Sequence, residues 1–190
     1  MDSLKTLDYS LQELRKVVAT IDDSQMAAPS NCEPWTVRQL ASHALNNQLF
    51  WAGLVTGQQI VAFEDAMSAI PLEGPLAPVA DDVAARAMAM WTTDGVLDSI
   101  HATPLGEVPG SVVIKFATID AAAHAWDLSA SVGRPIEFES HALPSIAAVV
   151  DATCTDGARD HGLIKAPTET PANATDTERL MALAGRTIRR

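Results

Sequence analysis

Apolar residues recur at helical intervals along the N-terminal stretch. Leu4, Leu7, Leu11, Leu14, Val18 and Ile21 are separated by 3, 4, 3, 4 and 3 positions. That is one stripe along a helix of about five turns. Lys5, Asp8, Gln12, Arg15 and Lys16 fall off the stripe and can face water, and Asp22-Asp23-Ser24 closes the element. A loop with two prolines, AAPSNCEPW, leads into a second pattern. There Thr36 and Gln39 have the form of a capping box, and Gly57 stands where a helix C-terminal glycine belongs, so a helix is predicted over 37–56. Pro71, Gly74, Pro75 and Pro78 break up 57–80. Asp81-Asp82 are expected at the N-terminus of a third helix, where acidic side chains suit the helix dipole, with Val83, Ala87, Met90 and Trp91 on one face. Residues 92–113 read as extended chain and turns. A fourth helix covers about 114–132, stopped by Gly133-Arg134-Pro135, a fifth about 141–154, and a short last one about 177–186. Strand signals are few. The expectation is an all-α bundle with long connections.

Composition narrows the classes. The chain has 190 residues, of which 47% are hydrophobic and 19% charged, which suits one globular domain. Thirteen basic against 24 acidic side chains give a net charge of −11. That balance argues against nucleic acid and against an anionic membrane surface as partners, since both are bound through clustered Lys and Arg. Two cysteines cannot form a disulfide scaffold. No apolar run approaches the ~18–20 residues that span a bilayer. The start, MDSLKTLDYSLQELRK, lacks the apolar core of a signal peptide, so a cytoplasmic setting is expected.

The candidate chemistry lies in the second and fourth helices. Asp120 and His124 are one turn apart on one helix face, so a carboxylate and an imidazole can reach one metal ion. The small neighbours Ala121, Ala122, Ala123 and Ala125 leave room around them. Asp127, three further on, can share that face as an acceptor for His124 or as an extra ligand. A helix-surface ion pair is the plainer alternative. His43 lies on a stripe with Asn47, Phe50 and Leu54, where a histidine is either a ligand or a core residue with one hydrogen bond; Asn47 suits a pocket wall. Facing helices of a bundle can bring such residues together, and two His with one carboxylate leave coordination positions open. Cys32 reads as a small buried hydrophobe rather than a reactive thiol, and Trp35 and Trp126 as packing residues. His101, His141 and His161 fall in or near loops and are expected to face solvent. Arg38, Arg134, Arg159 and Arg186 are the cations available to a site, with no position assigned. Phosphate-loop and nucleophile-elbow motifs are absent.

Three stretches together resemble a known family: NCEPWTVRQLASH (31–43), LGEVPG (105–110) and DAAAHAWDLSASVG (120–133). In this order and spacing they are similar to the DinB-like metal-binding superfamily, and within it to the mycothiol-dependent maleylpyruvate isomerase-like branch. The ending RLMALAGR is similar as well. The resemblance implies a four-helix bundle, up-down-down-up, with an extra C-terminal helical segment: a single domain over 1–190, its core bundle about 1–135 and its extension about 136–190. It implies a divalent metal, zinc or nickel, held by His43, Asp120 and His124. It implies mycothiol or a similar small thiol as cosubstrate, activated by the metal to attack an electrophilic substrate in a transfer or isomerisation. One departure stands out, because the family pattern has Glu where Asp120 stands, one methylene longer. A metal-binding or stress-related protein without turnover, and a dimerising scaffold, are the alternative readings; a homodimer fits any of them.

Overall fold

In the computed structural model, which describes residues 1–58, 60–68, 70–103, 106–160, 162 and 164–189, the leucine stripe forms α1 (Ser3–Thr20). The Asp2 side chain caps it by accepting from Lys5 N at 2.8 Å. Leu7, Leu11, Leu14 and Val18 are buried. Removing one such side chain, as in Leu11→Ala, costs about 2–5 kcal/mol. Helix α2 (Val37–Thr56) carries the capping box of Thr36 and Gln39 and ends on Gly57 in the left-handed conformation, φ 69°.

The connection after α2 holds a short helix, α3 (Phe63–Met67), that the breaker residues hid. Helix α4 (Leu76–Trp91) begins earlier than its acid pair implied. Pro78 is its third residue, where a backbone N–H has no partner within the helix, so proline is tolerated. Asp81 and Asp82 therefore lie within the helix rather than at its N-terminus. They pair with Arg15 at 3.4 Å and Arg86 at 3.2 Å. A hairpin follows, β1 (Ile100–Thr103) antiparallel to β2 (Gly106–Pro109), with Ile100 opposite Pro109 and Thr103 opposite Gly106. It runs directly into α5 (Gly110–Ser131), which starts about a turn before the expected position. Gly110 is needed there, because a Cβ would collide with the Val96 carbonyl.

Helices α1, α2, α4 and α5 form the bundle, with α1 and α2 each packed against both α4 and α5. The contacts fix the directions. Arg134, just past α5, bonds Thr20 O at the end of α1, so those two run parallel. His43 faces His124 while Gln48 reaches Ala117 O, so α2 opposes α5. Arg38 at the start of α2 bonds Leu72 and Gly74 before α4, so α2 and α4 run together. This is the up-down-down-up bundle. Beyond it, α6 (Leu143–Thr153), α7 (Asp156–Asp160) and α8 (Asp176–Leu183) follow, and α6 packs on α5 and on α8.

Apart from the face that carries Asp120, His124 and Asp127, helix α5 is mostly apolar. Ala117, Ala121, Ala125 and Leu128 enter the bundle core, and Ile119, Ala122, Ala123 and Trp126 enter a second core with Phe138, Ile146 and Met181. A helix with apolar residues on opposite faces is packed on both of them. Among the described residues no helix is long and apolar enough to cross a membrane.

Candidate metal centre

The antiparallel packing of α2 on α5 sets His43 against His124, ring centroids 5.1 Å apart and edge to face. Asp120 lies one turn before His124. A nitrogen or carboxylate oxygen from each of His43, Asp120 and His124 falls within 4.8 Å of the others. His124 Nε2 and Asp120 Oδ1 are 3.4 Å apart. Ligands bonded at ~2.0–2.1 Å around a tetrahedral ion are separated by about 3.3 Å. The shorter acid thus fits such a site.

Neighbouring groups aim these side chains. The His43 Nδ1–H donates to the Ala66 carbonyl at 2.7 Å, which α3 supplies, and Asn47 Nδ2 lies 3.3 Å from His43 Nε2. That tautomer leaves the Nε2 lone pair to accept from Asn47, whose Nδ2 also bonds Asp120. His124 Nδ1 is 3.1 Å from Asp127 Oδ2, so its Nε2 also faces inward. Partners of this kind fix the ring and its tautomer in histidine metal sites. Asp120 is held at both oxygens, by Asn47 Nδ2 at 3.0 Å and Gln48 Nε2 at 2.9 Å. Asn47 Oδ1 is buried and has no partner among the described residues, as a group awaiting a ligand would be.

Charge in the cluster is strongly coupled. Burial lowers the His43 pKa, and the nearby His124 lowers it further. Burial would lower His124 too, but the charge and hydrogen bond of Asp120, with Asp127, raise it well above 6.5. Burial would raise Asp120, but His124, His43 and Asn47 hold it below the usual carboxylate value. Asp120 and Asp127 thus favour the protonated form of His124.

Asp127 is fully buried and joins a second group. Asn31 Nδ2 donates to its Oδ1 at 3.0 Å, and Cys32 Sγ and Arg186 Nε reach its Oδ2 at 3.2 and 3.1 Å. Burial would raise its pKa, but Arg186, His124 and Asn31 outweigh that and hold it far below the usual range. Cys32, His124 and Asp127 also lie within 4.8 Å of one another. A cation placed there would meet the guanidinium already on Asp127, so this group serves as an anchor for His124 rather than a metal site. Gly185, at φ 81°, lets the chain cross closely over Lys165 and turn Arg186 inward; a Cβ there would sit 2.7 Å from Lys165 O.

A cavity of about 500 Å³ opens onto both groups. His43, Asn47, Asp120, His124 and Asp127 all line it. Three expectations change. Cys32 is half-buried, hydrogen-bonded and on the cavity wall, not a buried hydrophobe. Trp35 packs on the His43 ring at 4.6 Å and lines the cavity, beyond holding its loop. His101 is half-buried, with Nε2 2.8 Å from Val96 O, because the hairpin folds back on the preceding turn. Trp126 fills the second core as expected, His141 is exposed, and His161 lies outside the described residues, as does Leu105 of the second stretch. Of the four unplaced arginines only Arg186 reaches the site. Arg38 and Arg134 bond distant carbonyls, and Arg159 bonds Asp156 and Leu183 O. Gln48, Asn31 and the Ala66 carbonyl were not foreseen.

The sequence matches the mycothiol maleylpyruvate isomerase N-terminal domain over residues 7–129. The chain belongs to that family. An uncharacterized protein of Mycobacterium tuberculosis strain H37Rv and one of strain CDC 1551 / Oshkosh are each 29% identical over 195 residues, covering 100% of this chain and 100% of their own. Two crystal structures of mycothiol-dependent maleylpyruvate isomerase share the fold. One, a histidine-to-alanine mutant, superposes with a TM-score of 0.66 at 19% identity; the other gives 0.64 at 17%. Each match covers 84% of this chain and 71% of the other. The family's helical, DinB-like architecture is therefore the architecture of this chain, with α6 and α8 closing the outer side of α5.

Proposed function

We propose that this member of the mycothiol maleylpyruvate isomerase N-terminal domain family is a divalent-metal protein that uses a low-molecular-weight thiol, mycothiol or a similar one, in a transfer or isomerisation reaction. His43, Asp120 and His124 hold zinc or nickel. The observation that carries the reading is the pair of imidazoles whose Nδ1 atoms are engaged by Ala66 O and Asp127, leaving the Nε2 of His124 on Asp120 and that of His43 on Asn47 beside it, next to an open cavity. A divalent cation held there would lower the pKa of a coordinating thiol and so supply thiolate at neutral pH.

The chain's own residues do the rest. Asp127 holds the proton on His124 Nδ1 and fixes that ring. Asn47 and Gln48 restrain both oxygens of Asp120. Trp35 covers the His43 ring and excludes water from one side. The cavity of about 500 Å³ lies within the ~300–1,000 Å³ usual for small-molecule sites. The thiol adds to an electrophilic double bond or epoxide held in that space. We take the whole chain, 1–190, as one cytoplasmic domain, its extension (136–190) supplying Arg186 to the site of the bundle (1–135).

Elemental analysis of untagged protein, before and after incubation with zinc or nickel, tests the assignment. About one metal per chain is expected, lost in the His43→Ala/His124→Ala double variant while helical circular dichroism persists. Failure to load under any condition would remove the metal site and favour a scaffold role. Metal without thiol transfer would favour a non-catalytic binding protein.

A further inference from the structure

We infer that the electrophile this cavity accepts is an uncharged, largely apolar compound with an aryl or alkyl body, rather than a small dicarboxylate; the inference rests on the thiol-dependent reading above. The wall beside the metal-ligating group is built from Trp35, Trp51, Phe63, Met67, Phe116 and Ile119. Trp51 of α2 and Phe116 of α5 lie with rings 5.9 Å apart and 21° from parallel, a two-ring face at the cavity. Phe63 and Met67, on α3, stay 43% and 38% exposed. Aromatic and thioether side chains left open around a cavity gain most from an apolar occupant.

The charges point the same way. Among the described residues two cations line the cavity, Lys165 and Arg186. Arg186 is committed, its Nε to Asp127 at 3.1 Å and its Nη1 to Ala184 O at 2.8 Å. Lys165 is exposed at the rim. Glu33, Asp120 and Asp127 line the same space. The negative charges of Asp120 and of a thiolate together match a dication. A substrate with two carboxylates would have to shed their hydration here with one rim ammonium to answer them, which is unfavourable. An aryl epoxide has no such need. Its reaction balances within the pair: the C–S bond forms as the C–O bond breaks, and the proton leaving the thiol ends on the epoxide oxygen.

The test compares two epoxides of like reactivity class, styrene oxide and cis-epoxysuccinate, with mycothiol and the zinc-loaded protein, each rate divided by its uncatalysed rate. Styrene oxide is expected to be favoured about tenfold or more in kcat/KM, a difference that apolar contacts readily supply. Trp51→Ala should remove most of that advantage with zinc stoichiometry unchanged. Met67→Lys, on the exposed short helix, should move preference toward epoxysuccinate. Equal rates, or a preference for epoxysuccinate, overturn the inference. If neither epoxide reacts, the thiol-transfer reading fails, and calorimetric titration with phenylethane-1,2-diol and succinate decides the cavity's preference alone. Tighter binding of the phenyl compound sustains it; equal or tighter binding of succinate overturns it.

Discussion

His43, Asn47, Gln48, Asp120 and His124 hang from two helices, whereas Asn31, Cys32 and Arg186 reach the same place from a loop and from the chain after α8. The first set is fixed by helical spacing and by the packing of α2 on α5, and it contains the three side chains that could share a metal ion. The second set is fixed by one buried carboxylate, and each of its side chains has a donor on Asp127. Geometry for binding comes from the helices, and charge balance from the loop and tail. Asp127 belongs to both, since it sits on α5 yet collects Asn31, Cys32, His124 and Arg186.

The strongest way to break that division is Asp127→Asn. It leaves the half-buried Arg186 without its counter-charge and His124 without its anchor. A stability loss of about 3–5 kcal/mol is expected in urea unfolding. Zinc affinity should fall about 10–100-fold, as for other residues that orient metal ligands. A loss of stability with zinc affinity intact would show that the two sets act independently.

Arg186→Met separates the sets more gently. Asp127 keeps His124 and Asn31, so a loss of about 1–3 kcal/mol is expected. Zinc stoichiometry should stay at one per chain. If zinc binding disappears with Arg186, the tail is part of the binding geometry and the contrast collapses.

The pH dependence of the metal-free protein is smaller, at most about 1.4 kcal/mol per pH unit for each group. His124 has a raised folded pKa, so its contribution is complete below about pH 6.5 and is lost as pH climbs through the raised value. His43 has a lowered one, so its neutral, buried form is penalised as pH falls below about 6.5. Asp120 and Asp127, both lowered, stabilise above about pH 3.9 and are lost below it. Stability should therefore peak near pH 6.5, with the alkaline decline absent in His124→Gln. A decline that survives in that variant would assign it to another group.

The smallest effect is expected for Cys32→Ser, which keeps a donor beside Asp127: under about 1 kcal/mol, with zinc stoichiometry unchanged. Loss of zinc in this variant would make Cys32, His124 and Asp127 the true ligand set.

The same contrast explains what the sequence revealed. The capping box at Thr36 and Gln39, the Gly57 stop, the leucine stripe and the Asp120/His124 pair all depend on residues within a turn or so of each other, where period and propensity speak directly. Asn31 and Asp127 are 96 positions apart, and Arg186 and Asp127 are 59. No periodicity links such residues, and only folding brings them together. The ending RLMALAGR carried a signal, because its Gly-Arg is the turn and the cation that dock on α5, yet nothing in the string said where they dock. The Ala66 carbonyl left no trace at all, since any residue there supplies one. Asp81-Asp82 misled because an acid pair suits a helix N-terminus equally well in isolation, while Pro78 concealed the first turn.

Helix α5, with apolar residues packed into two separate cores, has a kinetic consequence. Its amides can exchange with solvent only when both cores come apart, which places the helix at the slow, global end of the protein's opening motions. The carboxylate and imidazole it carries are thus mounted on the last part of the molecule to loosen.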